Sequence, residues 1–216
     1  MQRVVGIDVA SDAAWLVALD ADLALPRVIG ADLIAPVAGS AIERFCRGAA
    51  IVAVDAPSGY SELPHLEDER LAPKFRRACC GEVALHRSGI SVPWVSPSRD
   101  ETPAGWVTTG VEIWSMLRAI EIPAIETYPH GVIWRLAGRP LNHKSRPTGH
   151  LARLELLRRH VAVPSAAELW SHDSLDALAA ALVAALALSG EAYGLSCAND
   201  TGWVVHDGSS IWLPRG

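Results

Sequence analysis

Three short, apolar runs in this chain each end on a carboxylate: VVGID on Asp8, IVAVD on Asp55 and PAIE on Glu126. Continuous apolar runs of this length suit strands buried on both faces, and such strands belong to sheets covered by helices. Strands joined through helical crossovers run parallel, so their carboxyl ends share one edge of the sheet. Ligands of open α/β sheets bind at that edge. Three acids gathered there are costly if uncompensated, because like charges and burial both disfavour the ionised carboxylate. A divalent cation removes the conflict, and an all-oxygen donor set suits magnesium or manganese better than zinc.

The pattern around these runs predicts a mixed α/β fold. Residues 13–19 and 26–35 read as strands that pair with Arg3–Val9 in a meander, and GSAIERFCR (39–47) as a helix presenting Ile42, Phe45 and Cys46 on one face. Six of the fourteen prolines fall between Pro57 and Pro103, marking an irregular insertion with one or two short helices, a candidate cap over a site. VEIWSMLRAI predicts a helix over 111–120, residues 122–127 a strand, and Pro129 the first turn of a helix that Gly138 ends. Thr148 reads as the cap of a helix carrying Leu151, Leu154, Leu157 and Val161, and Ser165 with Glu168 as a capping box. The clearest helix runs from Ser174 to Ser189 and stops at Gly190. Residues 202–214 read as two short strands around an Asp-Gly turn. A single domain over 1–216, with 57–105 as its insertion, is the expected organisation.

With 50% hydrophobic and 20% charged residues the chain is neither disordered nor fibrous. The longest apolar run, Ala177–Leu188, is too short to span a bilayer, and MQRVVGID lacks the features of a secretory signal. Cys46, Cys79, Cys80 and Cys197 show no C-x-x-C spacing, and no Cys/His group has the spacing of a zinc site. A reduced, cytoplasmic protein is the expectation. The net charge of −5 is segregated. Arg135, Arg139, Lys144, Arg146, Arg153, Arg158 and Arg159 face only Glu155 within 135–160, and Arg70, Lys74, Arg76, Arg77 and Arg87 face only Glu82 within 70–87. Such stretches can hold a polyanion locally, or can simply be solvated helix faces.

SHDSLDAL supplies two more acids, Asp173 and Asp176, which share a face at the first turn of the long helix. Taken singly, each acid has an ordinary role open to it: Asp173 as a helix cap, Asp55 as a turn former, Glu126 as an arginine's partner. Their joint occurrence is the specific signal. His172, beside Asp173, is the first candidate if a histidine takes part; the eight tryptophans are core or groove-lining, with base stacking open to a few.

The blocks VVGIDVASDAAWLVALD, IVAVDAPSG, ETYPHGVIWRLAGRPL, HDSLDALAAALVAAL and IWLP resemble the family called domain of unknown function 429, described as predicted nucleases with an RNase H-like fold. The resemblance implies a mixed five-stranded sheet whose first three strands form a meander, with flanking helices. By analogy with RuvC-type resolvases it implies a metal site at Asp8, Asp55, Asp173 and Asp176, with Glu126 added because the family carries an acid in that block. Here the block reads ETYP, with Tyr128 where histidine is usual, and the family's R-x-C-D segment reads RACCGE, with Cys80 where aspartate is common.

These readings together give an expected metal-dependent nuclease, DNA or RNA undetermined. Asp8, Asp55, Glu126, Asp173 and Asp176 would hold two Mg2+ or Mn2+ ions, Lys144 and Arg146 the scissile phosphate, and Arg76 and Arg77 the backbone further out. The alternative is a non-catalytic RNase H-like module that binds nucleic acid or protein. An actin-like ATPase ranks lower, since neither VASD after Asp8 nor APSG after Asp55 offers a phosphate-cradling run of backbone N–H groups.

Overall fold

A computed structural model describes residues 1–197 and 208–215 of the chain. Strands β1 (Arg3–Val9), β2 (Ala14–Asp20) and β3 (Arg27–Ile34) form the expected antiparallel meander. After helix α1 (Gly39–Cys46), β4 (Ile51–Asp55) lies parallel to β1 on its other side. The insertion follows, with α2 (Pro73–Arg76) and α3 (Cys80–Arg87), then α4 (Gly105–Ala119). Strand β5 (Ala124–Thr127) adds parallel to β4 and leads through α5 (Pro129–Ala137), α6 (Pro147–Arg158) and a single 3-10 turn (Ser165–Leu169) to α7 (His172–Leu188). The chain ends in β6 (Ala192–Leu195) and β7 (Ile211–Pro214).

Among the described residues the sheet has seven strands rather than the expected five, in the order β3-β2-β1-β4-β5-β7-β6. β7 pairs parallel with β5, and β6 antiparallel with β7. The first piece of the expected terminal hairpin lies outside the described residues; the second is β7, which pairs with β5 and with the four-residue β6. Four helix starts also differ from expectation: α4 begins at Gly105 rather than 111 and α7 at His172 rather than Ser174. Arg146, with Pro147 at the first position, opens α6 rather than Thr148. Pro164 precedes the 3-10 turn, so Ser165 and Glu168 form no capping box.

Side chains alternate along the strands and divide the core between the two faces of the sheet. Val4, Val17, Leu19 and Ala53 pack with α5, α6 and α7, whereas Val5, Ile7, Leu16, Val52 and Val54 pack with Ile42 of α1 and Ile113, Trp114 and Leu117 of α4. α7 is buried all round from Leu175 to Ala185. Its alanines let the helix backbone lie directly on β1: a Cβ at Gly6 would sit 2.1 Å from both the Ala177 carbonyl oxygen and the Ala181 nitrogen. Only glycine permits that approach, and it occurs two residues before Asp8. Among the described residues no helix is long and apolar enough to cross a membrane.

Candidate functional site

The parallel register of β1 and β4 sets Asp8 directly beside Asp55. Both follow the parity of Val4 and Ala53, so both side chains leave the sheet on the face that α7 covers. Ser171 caps α7, its hydroxyl accepting the Ser174 N–H at 3.1 Å, which leaves Asp173, on the first turn, and Asp176, at the start of the second, free of capping. Asp8 is only 7% exposed and Asp176 only 4%.

Lys144 reaches into this group from the loop before α6. Its ammonium donates to Asp176 Oδ2 and lies 3.9 Å from Asp173 Oδ1. The loop closes tightly on α6: a Cβ at Gly149 would meet the His143 carbonyl oxygen at 2.2 Å. Arg153, 4% exposed, lies 3.9 Å from the other Asp176 oxygen, and its Nε is buried without a hydrogen-bond partner. His172 Nδ1 lies 2.6 Å from Asp173 Oδ1.

The protonation of the site reflects crowding. Burial first, then the Asp55 and Asp176 charges, hold the Asp8 carboxyl well above the usual carboxylate range. Burial and Asp176 push Asp55 up to about 7, while its hydrogen bond with Asp8 pulls the other way. Asp8 and Asp55 thus take up and release protons as a pair. Burial acts to lower the Lys144 ammonium, but Asp176, Asp8 and Asp173 outweigh it and the net shift is upward. The Lys144 ammonium is therefore shared among several acids.

Glu126 is placed differently. β5 pairs it with Val54 rather than Asp55, so by register it leaves the sheet on the opposite face from the aspartates. Its Oε2 accepts the Ser58 N–H at 2.8 Å, and burial still lifts it to about 8. Asp8, Asp55, Glu126, Asp173 and Lys144 nonetheless line one cleft of about 320 Å3, whose walls include Trp15, Trp106 and, from the insertion, Glu82, Leu85 and Trp94. A second basin, lined by Arg153, His130 and His143, adjoins it across Lys144, Tyr128 and Trp94.

The other basic residues singled out from the sequence are elsewhere. Arg76 donates to the carbonyls of Leu71 at 3.0 Å and Glu69 at 3.4 Å, and Arg77 pairs with Glu101 at 2.7 Å. Arg146 is exposed at the start of α6 and lines neither basin. What sequence reading missed are Arg153, Glu82 and Trp94. Arg153 was counted in a basic stretch, and only its burial distinguishes it from its neighbours. Glu82 is bound by local needs: its carboxylate accepts the N–H groups of Cys79 at 2.8 Å and Ser96 at 2.6 Å. Trp94, 69% exposed at the lip of the cleft, gave no local signal.

An all-oxygen donor set of four aspartates, two of them paired in register, fits a hard divalent cation such as Mg2+ or Mn2+. Asp8, Asp55, Asp176 and Asp173 are the residues that would hold it.

No curated protein matches the chain significantly. Among solved structures the chain is similar to one described as "Thermus thermophilus RuvC structure", at 17% identity over 88% of this chain and 97% of that one, with a TM-score of 0.45. A second, "T. thermophilus RuvC in complex with Holliday junction substrate", aligns over the same shares at 16% identity and a TM-score of 0.49. The family model described as "Protein of unknown function (DUF429)" matches residues 6–200, and the chain belongs to that family.

Proposed function

We propose that this protein is a divalent-metal-dependent nuclease that hydrolyses phosphodiester bonds at the Asp8–Asp55–Asp176 cluster. The observation that carries the proposal is the in-register pairing of Asp8 with Asp55 under α7, which confines mutually repelling acids to the edge of a cleft. A buried, proton-sharing carboxylate group of this kind costs stability and serves no packing purpose, as expected of a site kept for chemistry. Bound there, Mg2+ or Mn2+ would supply charge neutralisation at a phosphodiester and activation of a water.

The chain's own residues do the positioning. Arg153 and Lys144 hold Asp176 from two sides, and His172 lies beside Asp173. Lys144 is the cation nearest the acids, and its ammonium, now held by Asp176, is the group of this chain that would reach a phosphate oxygen bound at the cleft. Trp94 offers an exposed indole face for an unpaired base, and residues 57–105 act as one wall over the cleft. Glu126 fixes the turn after β4 through Ser58, which keeps Asp55 at the cleft.

The test is a cleavage assay with single-stranded, duplex and branched DNA and RNA under Mg2+, Mn2+ or chelator. Metal-dependent cleavage that Asp8→Asn abolishes supports the reading. Nucleic-acid binding without cleavage under either metal would replace it with a non-catalytic module.

A further inference from the structure

The insertion and the end of the sheet meet at a second cluster, of different chemistry. His65, Cys80 and Cys197 are all buried, and one ligand atom from each lies within 4.8 Å of the others. His65 Nε2 is 3.4 Å from Cys80 Sγ and 3.3 Å from Cys197 Sγ. These residues are 15 and 132 positions apart in sequence, so no local spacing announces them.

We propose that His65, Cys80 and Cys197 form a zinc site that pins the insertion to the end of β6. A tetrahedral zinc ion has Zn–N of about 2.0–2.1 Å and Zn–S of about 2.3 Å, which sets its nitrogen and sulfur ligands roughly 3.5 Å apart. Both observed separations are within about 0.2 Å of that value. A hydrogen-bonding account is poorer. An imidazole nitrogen offers a single lone pair or a single N–H in the ring plane, so it can aim at one sulfur but not at two. A cation on the same axis satisfies both. Cys197 Sγ also lies 3.6 Å from the Cys80 carbonyl oxygen, the contact that a protonated Cys197 would make. Cys80 opens α3, and a helix N-terminus favours the thiolate that zinc requires. Two thiolates and a neutral imidazole select zinc over the hard ions suited to the aspartates. Three protein ligands leave one tetrahedral position for water or a further donor.

The site is built into the wall of the cleft. Two residues after Cys80, Glu82 lines the aspartate cleft and caps α3 through Cys79. A zinc ion at Cys80 therefore fixes the N-terminus of the helix that carries Glu82 and Leu85 to the cleft.

The test uses the whole chain, expressed with zinc, purified without a polyhistidine tag and analysed for metal by mass spectrometry. One zinc per chain is expected, kept by Asp8→Asn and Cys46→Ser and lost in the Cys80→Ser/Cys197→Ser double variant. Should the double variant not fold, Co2+ titrated into reduced, metal-stripped wild type still decides: thiolate-to-cobalt charge-transfer absorption and the intense bands of tetrahedral Co2+ are expected, bleached by Zn2+. Zinc in thousandfold excess over its Kd should raise the Tm by roughly 10 °C. The proposal is overturned by a wild type that carries no zinc and gives no such bands, by zinc retained in the double variant, or by a Cys80–Cys197 disulfide in reducing buffer.

Discussion

The two buried clusters of ionisable side chains are built in opposite ways. The aspartates sit on regular elements: Asp8 and Asp55 on neighbouring strands locked in register, Asp176 on a helix whose backbone rests on Gly6. His65, Cys80 and Cys197 come from a loop, the first residue of a short helix and the residues after β6. Hard oxygen donors thus occupy the rigid half of the molecule, and soft sulfur and nitrogen donors the irregular half. Strand register positions side chains without help from a ligand. An insertion poor in regular structure has few backbone ladders of its own, so cross-links take over that task. The mutually repelling aspartates, conversely, need a scaffold strong enough to hold them together whether or not a cation is bound.

Breaking the rigid half should have the largest effect. Asp8→Asn should reduce cleavage by at least about 10²–10³-fold, the usual scale for removing one preorganised charged group, while zinc content and far-ultraviolet circular dichroism stay unchanged. Loss of zinc in that variant would merge the two clusters into one unit and end the contrast. Gly6→Ala should destabilise the fold by about 3 kcal/mol or more, since the added methyl meets α7 backbone rather than a movable side chain. Urea denaturation measures this, and an unaltered midpoint would mean that α7 does not rest on β1 as described.

Lys144→Met removes the ammonium beside Asp176 and should cost about 1–3 kcal/mol in metal-free protein, by leaving a nearly buried carboxylate with only Arg153 near it. Mn2+ should offset most of that loss, as read from the Tm with and without the ion. Metal affinity at the aspartates should also follow pH. Asp8 and Asp55 hold protons that a cation must displace, with Asp55 near 7. Mn2+ binding should therefore strengthen from pH 5.5 to 8, by up to about tenfold per unit for each proton displaced. The sign for stability is the reverse. Raised carboxyl pKa values mean that the native state binds more protons than the unfolded one, so metal-free stability falls as pH rises from about 4 through 7–8. The smallest effect belongs to the irregular half: Trp94→Ala should weaken single-stranded nucleic-acid binding by about 1–2 kcal/mol, some five- to thirtyfold in Kd, with zinc retained.

Much of the rigid half was legible because its signals are local. Strands β1 to β5 are apolar runs of the right length, and α7 is a long apolar helix between Ser171 and Gly190. Asp8 and Asp55 stood out because each ends an apolar run of the sequence. β6 was missed because AYGL is four residues long and carries a glycine, too little for any periodicity. The helix starts at Thr148 and Ser165 were misplaced because Pro147 and Pro164, one position earlier, govern the backbone there. Arg76 and Arg77 looked free as sequence, yet nearby carbonyls and Glu101 hold them.

By itself, then, the amino-acid order determined which segments become strands and helices and which of them carry acids at their ends, since short-range periodicity and chain-breaking residues decide both. Tertiary structure decided the rest. It set the register that separates Glu126 from the aspartates, the approach of α7 to Gly6 that delivers Asp176, the insertion of Lys144 among the acids, and the meeting of His65, Cys80 and Cys197. Each depends on which surfaces pack against each other across long stretches of chain, and on how closely two backbones can approach. No local pattern encodes that distance.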